Sequence, residues 1–316
     1  MSDKNFERLD FAARAGWLYY VAGFKQDEIA AELKISRQSA QRLVSLAVEE
    51  KLVKFKIDHP IASCMEYSNA LSDKFGLTFC EVTPTDPKAP DSLNGIAVAG
   101  SNLIESYLGH ESEEIIALGT GRSLKACIEQ VTKMSCPHHR LVSMAGNLKS
   151  DGSATSFSTT VSLADRVGAQ HNPYPVPVFA TTAEEKNIWQ KLGPNQKTLE
   201  LSQFATVTLV GIGPLTDHCP IIVDGMLAPE DVSELIDAGG IGEIIGWAFT
   251  AEGKIIQGLS NDRNTSAALV QGTSKPVIAI AQGEPKAEAI LAALKGQLIN
   301  GVVTNELTAK TILSLA

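Results

Sequence analysis

The sequence predicts an α/β protein in two parts. An amino-terminal helix-turn-helix (winged) domain is expected over residues 1–57, followed by a Rossmann-like, mainly parallel α/β domain over residues 58–316. Three observations carry this expectation. First, 316 residues is about twice an ordinary single-domain length. Second, the net charge of −9 is unevenly divided: residues 1–60 hold ten Lys/Arg and nine Asp/Glu, a net of +1, so the rest carries −10. Third, beyond about residue 58, apolar strand-like segments alternate with helical ones, the pattern of a parallel sheet covered by helices.

Composition removes several classes. With 44% hydrophobic and 20% charged residues, the chain can bury a large core, which argues against disorder, collagen-like repeats and a disulfide scaffold. No apolar run reaches the roughly 18 residues of a membrane helix. The first residues, Met-Ser-Asp-Lys-Asn-Phe-Glu-Arg, carry charge where a secretory signal is apolar. Five scattered cysteines, an odd number, suit a reducing compartment. A cytoplasmic protein without a membrane partner is expected.

The first helix is read over residues 6–22 from the spacing of Leu9, Ala12, Ala13, Trp17, Leu18 and Val21. Gly23 interrupts it. A short second helix, 26–33, carries acids in its first turn, where the helix dipole favours them. Lys34-Ile35 forms the turn, and Lys34 stands in place of a glycine, so the turn must reach its geometry without the residue that takes φ > 0 most easily. Ser36 is a suitable N-cap for a third helix, Arg37 to Glu50, with Ala40, Leu43, Val44 and Ala47 inward. That leaves Ser36, Arg37, Gln38, Ser39, Gln41 and Arg42 on its exposed start. Arg can grip guanine or phosphate and Gln can pair with adenine, as a recognition helix in the major groove requires. Lys51 to Ile57 alternates lysine with apolar groups and reads as a wing strand, with Lys54 toward the DNA backbone. From Leu33 to Lys56 the local net charge is +4.

In the second domain, Ile61–Phe75 reads as a linking helix and Pro84, Pro87 and Pro90 mark a loop. Strands are expected at Glu114–Leu118, Leu141–Ala145, Val176–Ala180, Val207–Gly211, Glu243–Phe249, Val277–Ala281 and Leu298–Val303. Helices are expected at Ser123–Thr132, Pro229–Ile236, Lys286–Lys295 and Glu306–Leu315. Ligands of such sheets bind where strands end and helices begin. Strand 115–118 runs into Gly119-Thr120-Gly121-Arg122-Ser123, whose bare backbone and helix start suit an oxyanion or, equally, serve tight packing alone. Gly211-Ile212-Gly213 closes another strand. Lys286, after Gly283-Glu284-Pro285, falls at a helix start and is either a ligand contact or a surface lysine. Glu243 can accept from ligand hydroxyls or be a strand-edge carboxylate; Asn147 is a weaker candidate. Cys136-Pro137-His138-His139 reads as a polar loop, because a tetrahedral zinc site needs four placed ligands and no second pair is near. Neither a metal nor a cofactor is expected, and no catalytic group stands out.

Taken together, the chain resembles the SorC family of bacterial sugar-binding transcriptional regulators. The resemblance rests on Ala15-Gly16-Trp17-Leu18-Tyr19-Tyr20, Ile29-Ala30, Ile35-Ser36-Arg37, Gly119–Ser123, Val210–Gly213, Gly242–Gly246, Lys286–Ile290 and Leu298–Glu306. Three departures from the family's usual pattern stand out: Thr120 where an aromatic is common, Asn305 where Asp is common, and Ser260-Asn261-Asp262-Arg263. The family implies the fold of glucosamine-6-phosphate deaminases, ribose-5-phosphate isomerases and CoA transferases. It also implies a sugar or sugar-phosphate effector and assembly into dimers or tetramers. By motif position, Gly119–Ser123 would hold phosphate, Glu243 would meet hydroxyls and Lys286 would contact the ligand. The expectation is therefore a repressor of a carbohydrate or polyol catabolic operon. It would bind double-stranded operator DNA as an oligomer and be controlled by a small, phosphorylated carbohydrate. The alternative is a sugar-phosphate isomerase or deaminase fused to a DNA-binding module.

Overall fold

The structure, a computed structural model, describes residues 3–50, 52–53, 61–149, 152–155 and 157–316. The chain divides into two compact units, Met1–Asp58 and His59–Ala316.

In the first unit, helices α1 (Asp3–Tyr20), α2 (Gln26–Glu32) and α3 (Arg37–Glu49) pack around Ala15, Ile29, Ala30, Ala40 and Val44, with α1 and α2 both against α3. The inward face of α1 differs from the spacing-based expectation. Ala12, Ala15 and Gly16 are buried, whereas Ala13, Trp17 and Val21 point outward, Trp17 being 57% exposed. Small residues win because the helices cross closely: a Cβ on Gly16 would stand 2.9 Å from that of Ala47. In the turn, Lys34 adopts φ +52 despite its side chain, a strain of roughly 1–2 kcal/mol that the surrounding turn bonds sustain. The expected wing lies outside the described residues except for Leu52 and Val53, and Lys54 is among those not described.

The second unit opens with α4 (Ile61–Phe75) and contains a seven-stranded, all-parallel sheet. Its strands are β1 (Phe79–Thr83), β2 (Ile115–Leu118), β3 (Arg140–Ser143), β4 (Gln170–Asn172), β5 (Val207–Val210), β9 (Val277–Ile280) and β10 (Gly301–Asn305), in the order β1-β10-β9-β5-β2-β3-β4. A smaller antiparallel sheet joins β6 (Gly213–Pro214), β7 (Gly240–Ile244) and β8 (Trp247–Thr250). Helices α5 (Asn94–Leu108), α6 (Arg122–Gln130), α7 (Thr159–Val167), α8 (Ala183–Lys191), α9 (Gly193–Gln203), α10 (Pro220–Val223), α11 (Pro229–Asp237), α12 (Ala287–Lys295) and α13 (Glu306–Leu315) complete it.

The period of two along each strand feeds two cores. Leu209, Ile278, Ile280 and Val303 pack into one, while Val210, Ala279, Ala281 and Val302 pack into the other.

Two expected strands are corrected. Val176–Ala180 is buried extended chain with only isolated bridges at Pro177 and Phe179, because Pro175 and Pro177 cannot donate to a ladder. Glu243–Phe249 is not one strand but the end of β7, a two-residue turn and the start of β8. The turn residues Ile245 and Gly246 stand at φ +46 and +84, the signs of a type I′ hairpin. A β-branched residue in that region is a true conformational outlier.

Candidate functional site

The strand order places the site. After β2 the chain proceeds outward through β3 and β4, then returns to lay β5 on the other flank of β2. The carboxyl ends of β2 and β5 therefore diverge at a topological switch point, where a crevice must open. Gly119-Thr120-Gly121 leaves β2 there, and Gly211-Ile212-Gly213 leaves β5 beside it. A cavity of about 210 Å³ lies between them.

Its floor is the start of α6. Gly121, at φ +126, is the N-cap and offers no side chain, so the first amides of the helix remain free for an incoming acceptor. Ser123, 6% exposed, lines the same end. Gly119 does not line this cavity but underlies it. A Cβ there would press to 3.1 Å from the Ile245 side chain and 3.3 Å from the Val210 Cα. Thr120 is also less free than expected, since its hydroxyl donates to the Phe157 carbonyl at 3.1 Å.

Glu243 and Lys286 meet in the same cavity from segments 43 residues apart in sequence. Glu243 lies in β7 opposite Gly213 of β6, and only a glycine at 213 leaves room, since a Cβ there would overlap the carboxylate. The Gly246 amide donates to Glu243 Oε2 at 2.8 Å. Burial pushes the Glu243 carboxyl above the usual carboxylate range, against the opposing pull of that amide and of Lys286. Burial likewise pushes the Lys286 amine below its ordinary value; Glu243 counters this, whereas Arg122 reinforces it. Ile245 borders the cavity with its strained backbone, its carbonyl accepting from Asn264 Nδ2 at 3.2 Å.

Arg122 reaches across the opening to Asp224, its guanidinium 2.8 Å from the carboxylate, and stands 5.1 Å from the Phe157 ring centroid. Asp224, Ile245 and Phe157 are site residues that the sequence reading missed. Asp224-Gly225 looks like an ordinary turn after an apolar run, and nothing local ties it to Arg122, 102 residues earlier. Asn147 lies apart, in a neighbouring crevice of about 10 Å³ shared with Gly119 and Thr120, room for about one water.

The remaining candidates are placed without joining this site. Ser36 Oγ accepts from the Ser39 amide at 3.1 Å, capping α3. Arg37, Gln38, Ser39, Gln41 and Arg42 are exposed along its start, with Arg37 held 3.4 Å from Asp27. His139 is fully buried: it accepts from the Glu114 amide at 3.1 Å through Nδ1 and lies 3.0 Å from the Leu108 carbonyl through Nε2. Cys136 is buried beside the same helix end. Asn305 caps α13, accepting from the Thr308 amide at 3.0 Å.

Comparison with known proteins places this geometry among relatives. Residues 59–314 match the family model "Putative sugar-binding domain". The chain is 31% identical over 302 residues to the erythritol catabolism regulatory protein EryD of Brucella abortus, covering 96% of each. It is 28% identical over 307 residues to the transcriptional regulator LsrR of Escherichia coli K12, covering 95% of this chain and 93% of the other. The full-length sorbitol operon regulator SorC of Klebsiella pneumoniae shares the fold with a TM-score of 0.69 at 23% identity, over 97% of this chain and 99% of that one.

Proposed function

Because the chain belongs to the SorC family of sugar-binding transcriptional regulators, we propose that it represses a carbohydrate or polyol catabolic operon and releases its operator when a small phosphorylated carbohydrate fills the switch-point cavity. The observation that carries this reading is the mixed lining of that cavity. It joins the free amides at the start of α6 and Ser123, which suit an anionic group, to the cations Arg122 and Lys286 and to Glu243, whose carboxylate suits hydroxyls. A phosphorylated polyol or sugar offers both kinds of group. The likeness to EryD, a regulator of erythritol catabolism, supports a polyol pathway.

DNA is contacted by the exposed start of α3 through Ser36, Arg37, Gln38, Ser39, Gln41 and Arg42, with Lys54 on the backbone. One such unit covers too few base pairs for genomic selectivity, so the working form is a dimer or tetramer on a pseudo-palindromic site. The protein acts in the cytoplasm, where its operator lies. It binds its effector without converting it. What supports this reading is that the relatives are named as regulators, and that of the two carboxylates lining the cavity among the described residues, Asp224 is paired with Arg122.

The test is a thermal-shift panel of phosphorylated and unphosphorylated sugars and polyols on the full chain, followed by operator binding with each hit. A phosphorylated hit that weakens operator binding and is recovered unchanged is expected. A hit that is consumed overturns the non-enzymatic reading.

A further inference from the structure

The charged side chains of the cavity balance one another. Among the described residues its lining holds two cations, Arg122 and Lys286, and two carboxylates, Asp224 and Glu243. Asp224 is bonded directly to the guanidinium that a phosphate at the start of α6 would need. A dianion arriving at α6 would meet a site whose positive charge is already neutralised. It would also meet a like charge at close range, in surroundings where both ions are partly desolvated.

We infer that Asp224 is an internal competitor for the anionic group of the effector: it pairs with Arg122 and yields when that group binds. The inference rests on the reading of this cavity as the effector site. The local backbone leaves such an exchange to the side chain. Asp224 is the C-cap of the four-residue helix α10, and Gly225 follows at φ +70, a conformation that favours glycine. On either side, Ile221 and Leu227 are anchored in a buried apolar cluster, and the amides of residues 224–227 are bonded to the carbonyls of Pro220, Ile221 and Ile222, so the exchange takes place in the Asp224 side chain over a fixed backbone. Released from Arg122, the Asp224 carboxylate can turn toward water; its side chain is already 19% exposed. The consequence is a selection rule. Only a ligand with enough negative charge to replace Asp224 on Arg122 displaces its carboxylate, and a neutral polyol leaves the ion pair in place.

The full chain and its Asp224→Asn variant, titrated with glycerol 3-phosphate and with glycerol, test this. Loss of the competing charge should tighten glycerol 3-phosphate binding by about tenfold or more, equivalent to about 1.4 kcal/mol, while leaving the response to glycerol unchanged. Asp224→Ser provides the same charge removal if the Asn variant folds poorly. Equal or weaker glycerol 3-phosphate binding by the variants, with normal binding by the wild type, would overturn the competitor role alone. If neither wild type nor variants responds to the phosphate ester, the phosphate reading of the cavity falls and takes this inference with it.

Discussion

Glu243 is held in a place that opposes its charge. Burial raises its carboxyl pKa above the unfolded value of about 4.3, and the Gly246 amide and Lys286 only partly offset the effect. A raised folded pKa means that its contribution to stability is complete below the unfolded pKa and is lost as pH rises through the folded one. Urea unfolding of the wild type and of Glu243→Gln, from roughly pH 4 to pH 8, should therefore show the wild type losing stability relative to the variant as pH increases. Parallel curves would mean that the carboxylate is better solvated than its position implies. Gly213 belongs to the same account. Gly213→Ala should displace the Glu243 side chain and weaken effector binding by about tenfold or more while leaving operator binding in the absence of effector intact, as titration and a gel-shift assay would show. Lys286→Ala removes a charge-assisted contact worth about 1.5–3 kcal/mol, readable by calorimetry against the effector.

At the scale of elements, two helix starts carry the two proposed functions by opposite means. Helix α3 begins with a side-chain cap: Ser36 satisfies the Ser39 amide. Ser36→Ala should cost about 1 kcal/mol of stability in chemical denaturation. Helix α6 begins without one, because Gly121 leaves its amides open. A capped start serves a helix that presents side chains to DNA, and an open start serves one that presents backbone to an anion. Arg37→Ala or Gln38→Ala should lose about 1–3 kcal/mol of operator affinity, concentrated at particular base pairs, in a competition assay across operator variants. A loss spread evenly over all sequences would make these phosphate contacts instead. The exposed Asp27–Arg37 pair is too solvated to change that outcome appreciably.

Over the whole molecule, the two units have their own cores, and the proposed function gives DNA reading to one and metabolite sensing to the other. Coupling between them requires that the effector bind the operator-competent and incompetent assemblies with different affinity. Light scattering of the full chain at micromolar concentration should give a dimer or tetramer, with and without effector. A monomer under both conditions would contradict the proposed operator geometry.

Much of this protein was legible along the chain. Alternating apolar segments, helix caps and glycine-rich strand ends are local signals, and they located α3, α4, the β2–α6 loop, Glu243 and Lys286 from sequence spacing and motif resemblance. Local signals also misled where neighbours decided. Trp17 fits a helical stripe, yet close crossing at Gly16 put the small residues inward. Val176–Ala180 reads as a strand, yet its prolines cannot complete a ladder. The return of β5 to the flank of β2, the seating of Glu243 on Gly213 and the pairing of Arg122 with Asp224 were decided only in three dimensions. Each joins groups from distant parts of the chain, and strand order and burial, which no local pattern encodes, determine which distant groups meet.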